Sequence, residues 1–270
     1  MYITKISGIL GAAQQRLSLY KTASRTTVAG GWFSTVDLAG NPGAGTLAAG
    51  NTANGRVPTD ALAGYPVINA FGASASGYLA RLALKNSVIS TIRLFDRLFD
   101  SGAHAFNANQ ALSAQPDFAS RVSMNRGQPD YTGLELWVEQ VTTGTGNQAV
   151  NVTYTNDADV TGRTTGATGI AAAPTVGRCW QLPLQAGDKG VKQITNIAGS
   201  VASAGTFNVM LLRPLAEVYI DVANKLVMQN EDCLGFPEVF ADSALYMMAM
   251  SPTGTALGVI DIGNLTIVNG

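Results

Sequence analysis

Histidine is almost missing from this chain: His104 is the only one among 270 residues. Metal sites assembled from several imidazoles are therefore excluded by count. A hydrolase triad needs only one such base, but no Gly-x-Ser-x-Gly elbow accompanies His104, and Ser-Gly-Ala-His-Ala-Phe reads as ordinary structure. Cysteine is scarce too. Cys179 and Cys233 lie far apart without metal-ligand spacing and read as buried thiols; a disulfide between them is not indicated. Charged residues make up 13% of the chain, against about 25% in an average domain. With a net charge of −1 and a pI near 5.8, no basic field is present to hold a polyanion, so direct nucleic-acid binding is not expected. No apolar run reaches the roughly 18 residues of a membrane span. The first ten residues lack the apolar core and cleavage site of a signal peptide, so the protein is expected to stay where it is made or to leave inside something larger.

What is present is small and neutral. Glycine contributes 30 residues, and alanine and threonine are frequent. The length suits one large β domain or two small ones. It suffices to bury roughly 70–75% of the unfolded surface without staples. A surface poor in Lys and Glu is typical of one that meets other protein, which points to an oligomer or a lattice. The plainer alternative is a β protein rich in small residues with neutral loops.

Along the chain, Ile6, Ile9, Leu10, Ala13, Leu17 and Tyr20 recur at three- and four-residue spacing and predict a helix over 2–20. Residues 21–76 follow as an extended arm or loop rich in Gly and Ala. Structureless stretches longer than about 12–15 residues are usually functional or disordered. Trp32 and Phe33, with Pro42 and Leu47 from the loop, are its candidate partner-contact residues; the two aromatics serve equally well as core. A division follows between 1–76 and a β-sandwich domain at 77–270, although one continuous domain is equally compatible. Alternating apolar residues from Tyr78 to Phe99, broken at Asn86-Ser87, predict two strands. Leu134, Leu136 and Val138 alternate with Glu135, Trp137 and Glu139, which places the two glutamates on the solvent side. Val150, Val152 and Tyr154 share a face opposite Asn151, Thr153 and Thr155. Thr143-Gly-Thr-Gly-Asn147 between these runs tolerates positive φ, so the pair reads as a hairpin. Trp180–Leu184 reads as an edge strand because Pro183 cannot donate to a ladder. Val191–Ile197 and Thr206–Leu212 read as another strand pair. The fold class is mainly β: an antiparallel sandwich or jelly roll with an N-terminal helix and a long loop.

Chemistry is thin. Asp157 and Asp159 form an Asp-x-Asp at a turn, but the further acidic positions of a calcium loop are absent; such pairs are ordinary turn residues. Gly40-Asn-Pro-Gly-Ala-Gly-Thr46 has the outline of a phosphate loop without its lysine. Asp96 and Arg97 are expected to pair with neighbours at a strand end. No catalytic, metal or cofactor-binding residue is assigned, and the chain is expected not to be an enzyme.

Two stretches resemble a family of tailed-bacteriophage virion proteins. Ile92-Arg-Leu-Phe-Asp-Arg-Leu-Phe99 is similar to an apolar-Leu-Tyr-Asp-Arg-Leu segment of such proteins. Val152-Thr-Tyr-Thr-Asn156 followed by Gly162-Arg-Thr-Thr165 resembles their "YTN…GRTT" pattern, with Asp157-Ala-Asp-Val replacing a Gln/Gly-rich turn. The likeness covers roughly residues 30–215 and carries no active-site residue. It implies a structural component of a virion, assembled in the host cytoplasm, whose partners are the major capsid protein or other virion proteins and further copies of itself. A capsid decoration or cement protein is the first reading; a tail or neck component and a carbohydrate-binding attachment module are the alternatives.

Overall fold

Alternating apolar runs give this chain many strands, which sort into a central barrel and flanking sheets. The computed structural model describes residues 14–72, 76–170, 175–200 and 204–269. In order, the strands are β1 (Gln14–Ser18), β2 (Tyr20–Lys21), β3 (Trp32–Ser34), β4 (Gly40–Asn41), β5 (Ser76–Lys85), β6 (Ser90–Ala105) and β7 (Asn109–Ala111). Then come β8 (Met124–Asn125), β9 (Gln128–Pro129), β10 (Glu135–Thr142), β11 (Gln148–Asn156), β12 (Arg163–Thr164), β13 (Thr168–Ile170), β14 (Arg178–Leu182) and β15 (Val191–Gly199). The chain closes with β16 (Thr206–Ile220), β17 (Leu226–Asn230), β18 (Glu238–Phe240), β19 (Leu245–Met250) and β20 (Ile262–Asn269); a single helical turn, α1 (Glu231–Leu234), lies between β17 and β18.

Six strands form a closed antiparallel barrel in the order β10-β14-β3-β19-β6-β16. An outer sheet, β1-β20-β5-β17 with β18 also on β5, covers one flank. Between them pack Leu79, Leu82, Leu84, Leu265 and Ile267 from the sheet and Ile92, Leu94, Val218, Ile220 and Met247 from the barrel. A second outer sheet, β12-β11-β15-β7 with β13 on β11, covers another flank. There Val150, Val152, Tyr154, Ile194 and Ile197 meet Leu136, Val138, Val209 and Leu211. The long strands β6 and β16 run under both sheets, so each contributes to both cores. A third cluster, including Phe95, Trp137, Met210, Tyr246 and Met248, fills the barrel itself.

Glu135–Thr142 and Gln148–Asn156 are strands, as expected, but not a hairpin. β10 pairs with β14 and β16, whereas β11 pairs with β12, β13 and β15. The 143–147 loop carries the chain from barrel to outer sheet, so the apolar faces of the two strands oppose each other instead of lying side by side. Burial agrees with this placement. β10 is covered on both faces over most of its length, as suits a barrel strand lying under an outer sheet, while β11 alternates along its first half. The same crossing separates β15 from β16, which were expected to pair, and also β5 from β6 and β19 from β20. The predicted strands either side of Asn86-Ser87 are present.

Two further expectations change. Where the chain is described, the N-terminal helix is absent: β1 is a strand on β20, with Leu17 packed inward and Gln14 and Arg16 exposed. The remainder of that prediction lies outside the described residues. The sandwich or jelly roll gives way to a closed barrel flanked by sheets. The edge expected over Trp180–Leu184 is present: Trp180, Gln181 and Leu182 pair with β10 alone, whereas Arg178 and Cys179 before them pair with β3. Residues 14–72 are interwoven with the rest, supplying β1 to an outer sheet and β3 to the barrel.

Candidate functional site

Asp96, Arg97, Asp100, Arg121 and Glu139 lie inside, each at most 1% exposed. β10 directs Glu135, Trp137 and Glu139 into the barrel, so its polar face is an interior face and not the solvent side. At one end of the barrel Glu139 is fully buried. It accepts hydrogen bonds from Tyr246 Oη (2.7 Å) and Asn208 Nδ2 (2.9 Å). The guanidinium of Arg97 lies 3.5 Å from Glu139 and 2.9 Å from Asp100, the latter an ion pair whose N–H is not well aimed. Arg56 adds a second cation on Asp100 at 2.8 Å, so two guanidiniums face two carboxylates. Burial alone would lower the Arg97 pKa, yet Asp100 and its other neighbours hold it well above the usual range. Burial pushes the Tyr65 phenol, which accepts from Arg97 at 3.2 Å, up to about 12.

The Gly- and Ala-rich segment closes this end. Asn208 Nδ2 donates to the Leu47 carbonyl (2.5 Å), and the Ala49 N–H donates back to Asn208 Oδ1 (3.3 Å). Gly55 has φ +72° and lies where a Cβ would be 2.1 Å from the Phe99 ring. Arg121 bonds the Pro58 carbonyl and the carboxylate of Asp96. Asp96 also accepts from Arg213 (3.1 Å) and Ser243 (2.7 Å). The segment is thus a plug in its own barrel, not an arm reaching away from it.

The other end is a mouth. Arg93 clasps Glu135 through two nitrogens at 2.9 and 3.3 Å. Its guanidinium stands 4.7 Å from the Phe95 ring centre and 5.8 Å from those of Trp32 and Trp137. Glu217, largely exposed, reaches Arg93 at 3.2 Å, and Tyr219 lies two residues beyond it, 58% exposed.

Of the residues singled out in the sequence, Trp32 lines this mouth, half-buried and edge-on to Trp137. Phe33 is fully buried between barrel and outer sheet, and Leu47 is buried in the barrel, so neither has surface to offer a partner. Pro42, after a cis bond, lines a shallow surface groove with Ala61, Leu62 and Val67. The structure does not bring these four together. His104 forms a 2.9 Å hydrogen bond with Ser101, the outline of a nucleophile and base. Both are buried, and burial drops the imidazole to about 4. Cys179 is buried and its thiol pushed far up by burial, whereas Cys233 is exposed, against expectation. Asp157 accepts from the Lys189 N–H and Asp159 pairs with Lys192, consistent with turn residues. Among the described residues no group of three His, Cys, Asp or Glu could hold a metal.

The stretches that carried the family resemblance are all structural junctions. Tyr154 Oη and Asn156 Nδ2 donate to Asp188 at 2.7 Å each, and Arg163 Nε at 2.9 Å. Arg163, Tyr154 and Asn156 hold that carboxylate down at about 2. Thr165 zips to Val152 through both backbone and hydroxyl. Asp188 itself was missed: no periodicity marks it, and only the convergence of three distant donors reveals it.

No family model matches the chain, and no curated protein matches it. Among solved structures it is similar to the VP2 subviral particle of infectious bursal disease virus at 10% identity, over 95% of this chain and 79% of that one, with a TM-score of 0.18. It is likewise similar to a structure of the Gx strain of that virus at 9% identity, over 96% and 81% of the two chains, with a TM-score of 0.17. At these scores the likeness carries no argument about fold or function.

Proposed function

We propose that this chain is a non-enzymatic structural subunit of a virus particle, and specifically a decoration or cement protein bound to a capsid shell. The supporting observation is where charge and apolar surface lie. Asp96, Arg97, Asp100, Arg121 and Glu139 are at most 1% exposed, while Val67, Met124, Tyr219, Val222 and Met228 are each more than half exposed. Internal ion clusters hold the barrel together, and the outside is left neutral and partly apolar, as suits repeated contact with other protein. The junction roles of Arg93, Asp96, Arg97, Tyr154, Asn156 and Arg163 give the resemblance to virion proteins a physical basis. The test is to separate heads from tails of the particle and measure this chain against the major capsid protein. Copies comparable with the capsid protein in heads support decoration; a small number confined to tails makes it a tail or neck component. Absence from both overturns the structural reading.

A carbohydrate-binding attachment module is the second reading, favoured by the barrel mouth, where Trp32, Glu135 and Glu217 gather around Arg93 and Tyr219 is exposed two residues beyond Glu217. An aromatic face beside carboxylates suits a sugar ring. Glycan binding lost in Trp32→Ala and Tyr219→Ala supports it; no glycan bound by the intact chain excludes it.

A further inference from the structure

We infer that β17 is a docking edge through which two copies of this chain join their outer sheets, antiparallel and about a two-fold axis. β17 pairs only with β5, so every second N–H and C=O of the strand points away from the sheet. Among the described residues none of these groups has a backbone partner. Among the described residues the other edges are guarded or short, β14 being open only over Trp180–Leu182. Gln15 of β1 exchanges two hydrogen bonds with the Asn69 backbone (2.6 and 2.8 Å). β7, β12, β13 and β18 have three residues or fewer. The outer half of β16 carries Pro214, and its Glu217 carbonyl is capped by Gln229 Nε2 at 2.7 Å. β17 has no proline and no register shift, and its outward side chains include Leu226 and Met228, 44% and 51% exposed. An open, regular, apolar edge is what a second strand pairs with.

The occupant follows from the sequence of the edge. In antiparallel self-pairing centred on Met228, Leu226 stands opposite Asn230, and Lys225, just before the strand, comes nearest Glu231, the first residue of α1. The strand with its flanking residues is therefore complementary in charge to its own reversed copy. Lys225 also touches Asp221 across its own turn (2.9 Å), and an ammonium has donors for both. A two-fold pairing uses one edge from each copy and closes on itself, so it gives dimers and not fibres. A five-residue ladder buries less than the ~1,000 Å² of a permanent interface, which makes the association concentration-dependent.

The inference concerns the isolated chain and does not rest on the virion reading. Its test uses the purified full chain, so the two fail separately. Sedimentation should show a mass rising from 28.0 kDa toward twice that value with concentration. In a Cys233→Ser background, Met228→Cys should cross-link to a dimer on oxidation while Val67→Cys does not. Lys225→Glu or Glu231→Lys should each weaken dimerisation by about tenfold through like charges brought near each other, and the double exchange should restore it. Three results would overturn the proposal. One is a chain that stays monomeric to about 100 µM, where even weak complexes associate. Another is a dimer indifferent to the charge exchange and uncross-linked at residue 228. The last is an edge that captures a foreign extended peptide but never its own copy.

Discussion

A carboxylate or a histidine taken out of water in this protein reports on the pH at which the fold holds. His104 is buried, and its pKa falls from 6.5 to about 4 on folding. The unfolded chain therefore binds a proton between those values that the folded chain refuses. Stability is retained above pH 6.5 and declines as pH falls through 6.5 toward 4, by an amount on the order of 2–3 kcal/mol. Denaturant melts of His104→Gln should show a shallower loss across that window; an unchanged profile would place the acid sensitivity elsewhere. Glu139 supports the opposite kind of test. Removing its carboxylate in Glu139→Ala leaves Arg97 short of a counter-ion inside the barrel, which should cost about 3–5 kcal/mol in equilibrium unfolding. Thiol chemistry reports burial directly: Cys233 should react with a thiol reagent in the native protein and Cys179 only after unfolding. Little of this was legible beforehand. Glu135 and Glu139 alternate with leucines exactly as solvent-facing residues do, because a period of two separates faces without saying what covers each one.

At the scale of elements, strand existence was readable and strand partnership was not. The alternation in Val150–Tyr154 and the break at Asn86-Ser87 identified strands and turns correctly. Glycine-rich connections such as 143–147 let a chain reverse into a neighbouring strand or step into another layer, and nothing local distinguishes the two. The choice is settled by which faces the finished fold covers, which no local residue encodes. The plug was misread for a related reason. Lacking periodicity, residues 39–55 look unattached, yet Asn208 holds Leu47 and Ala49, Gly55 sits against Phe99, and Arg121 pins Pro58 just beyond, each partner more than forty residues away. Gly55 is the tightest point, so Gly55→Ala, which places a methyl against the Phe99 ring at a positive φ, should destabilise by about 1–3 kcal/mol in thermal or denaturant melts. A neutral result would mean that the plug lifts away at no cost.

For the molecule as a whole, the strand order weaves early residues into late ones. β1 lies on β20, and β3 closes the barrel between β14 and β19. A boundary near residue 76 should therefore have no independent stability on either side. Calorimetry should show one cooperative transition, and limited proteolysis should not release a folded 77–270 fragment. Two separate transitions, or such a fragment persisting, would restore the two-part division. The alternating runs and turn signals, by contrast, had indicated the β class, and the composition a chain short of charge. Composition could not indicate that Asp96, Arg97, Asp100, Arg121 and Glu139 were buried, since counting residues is blind to which face they occupy.

The β6–β16 ladder also has a mechanical meaning. Its matched positions run from Ser90 and Ile220 at one end to Ala105 and Thr206 at the other, beneath both outer sheets. Tension applied along these strands loads the rungs in parallel, so they must yield together, whereas a pull across them would open the ladder one rung at a time. The barrel is stiff along that axis and weak transverse to it, and a neighbour gripping the two ends would be tied by the strongest line in the fold.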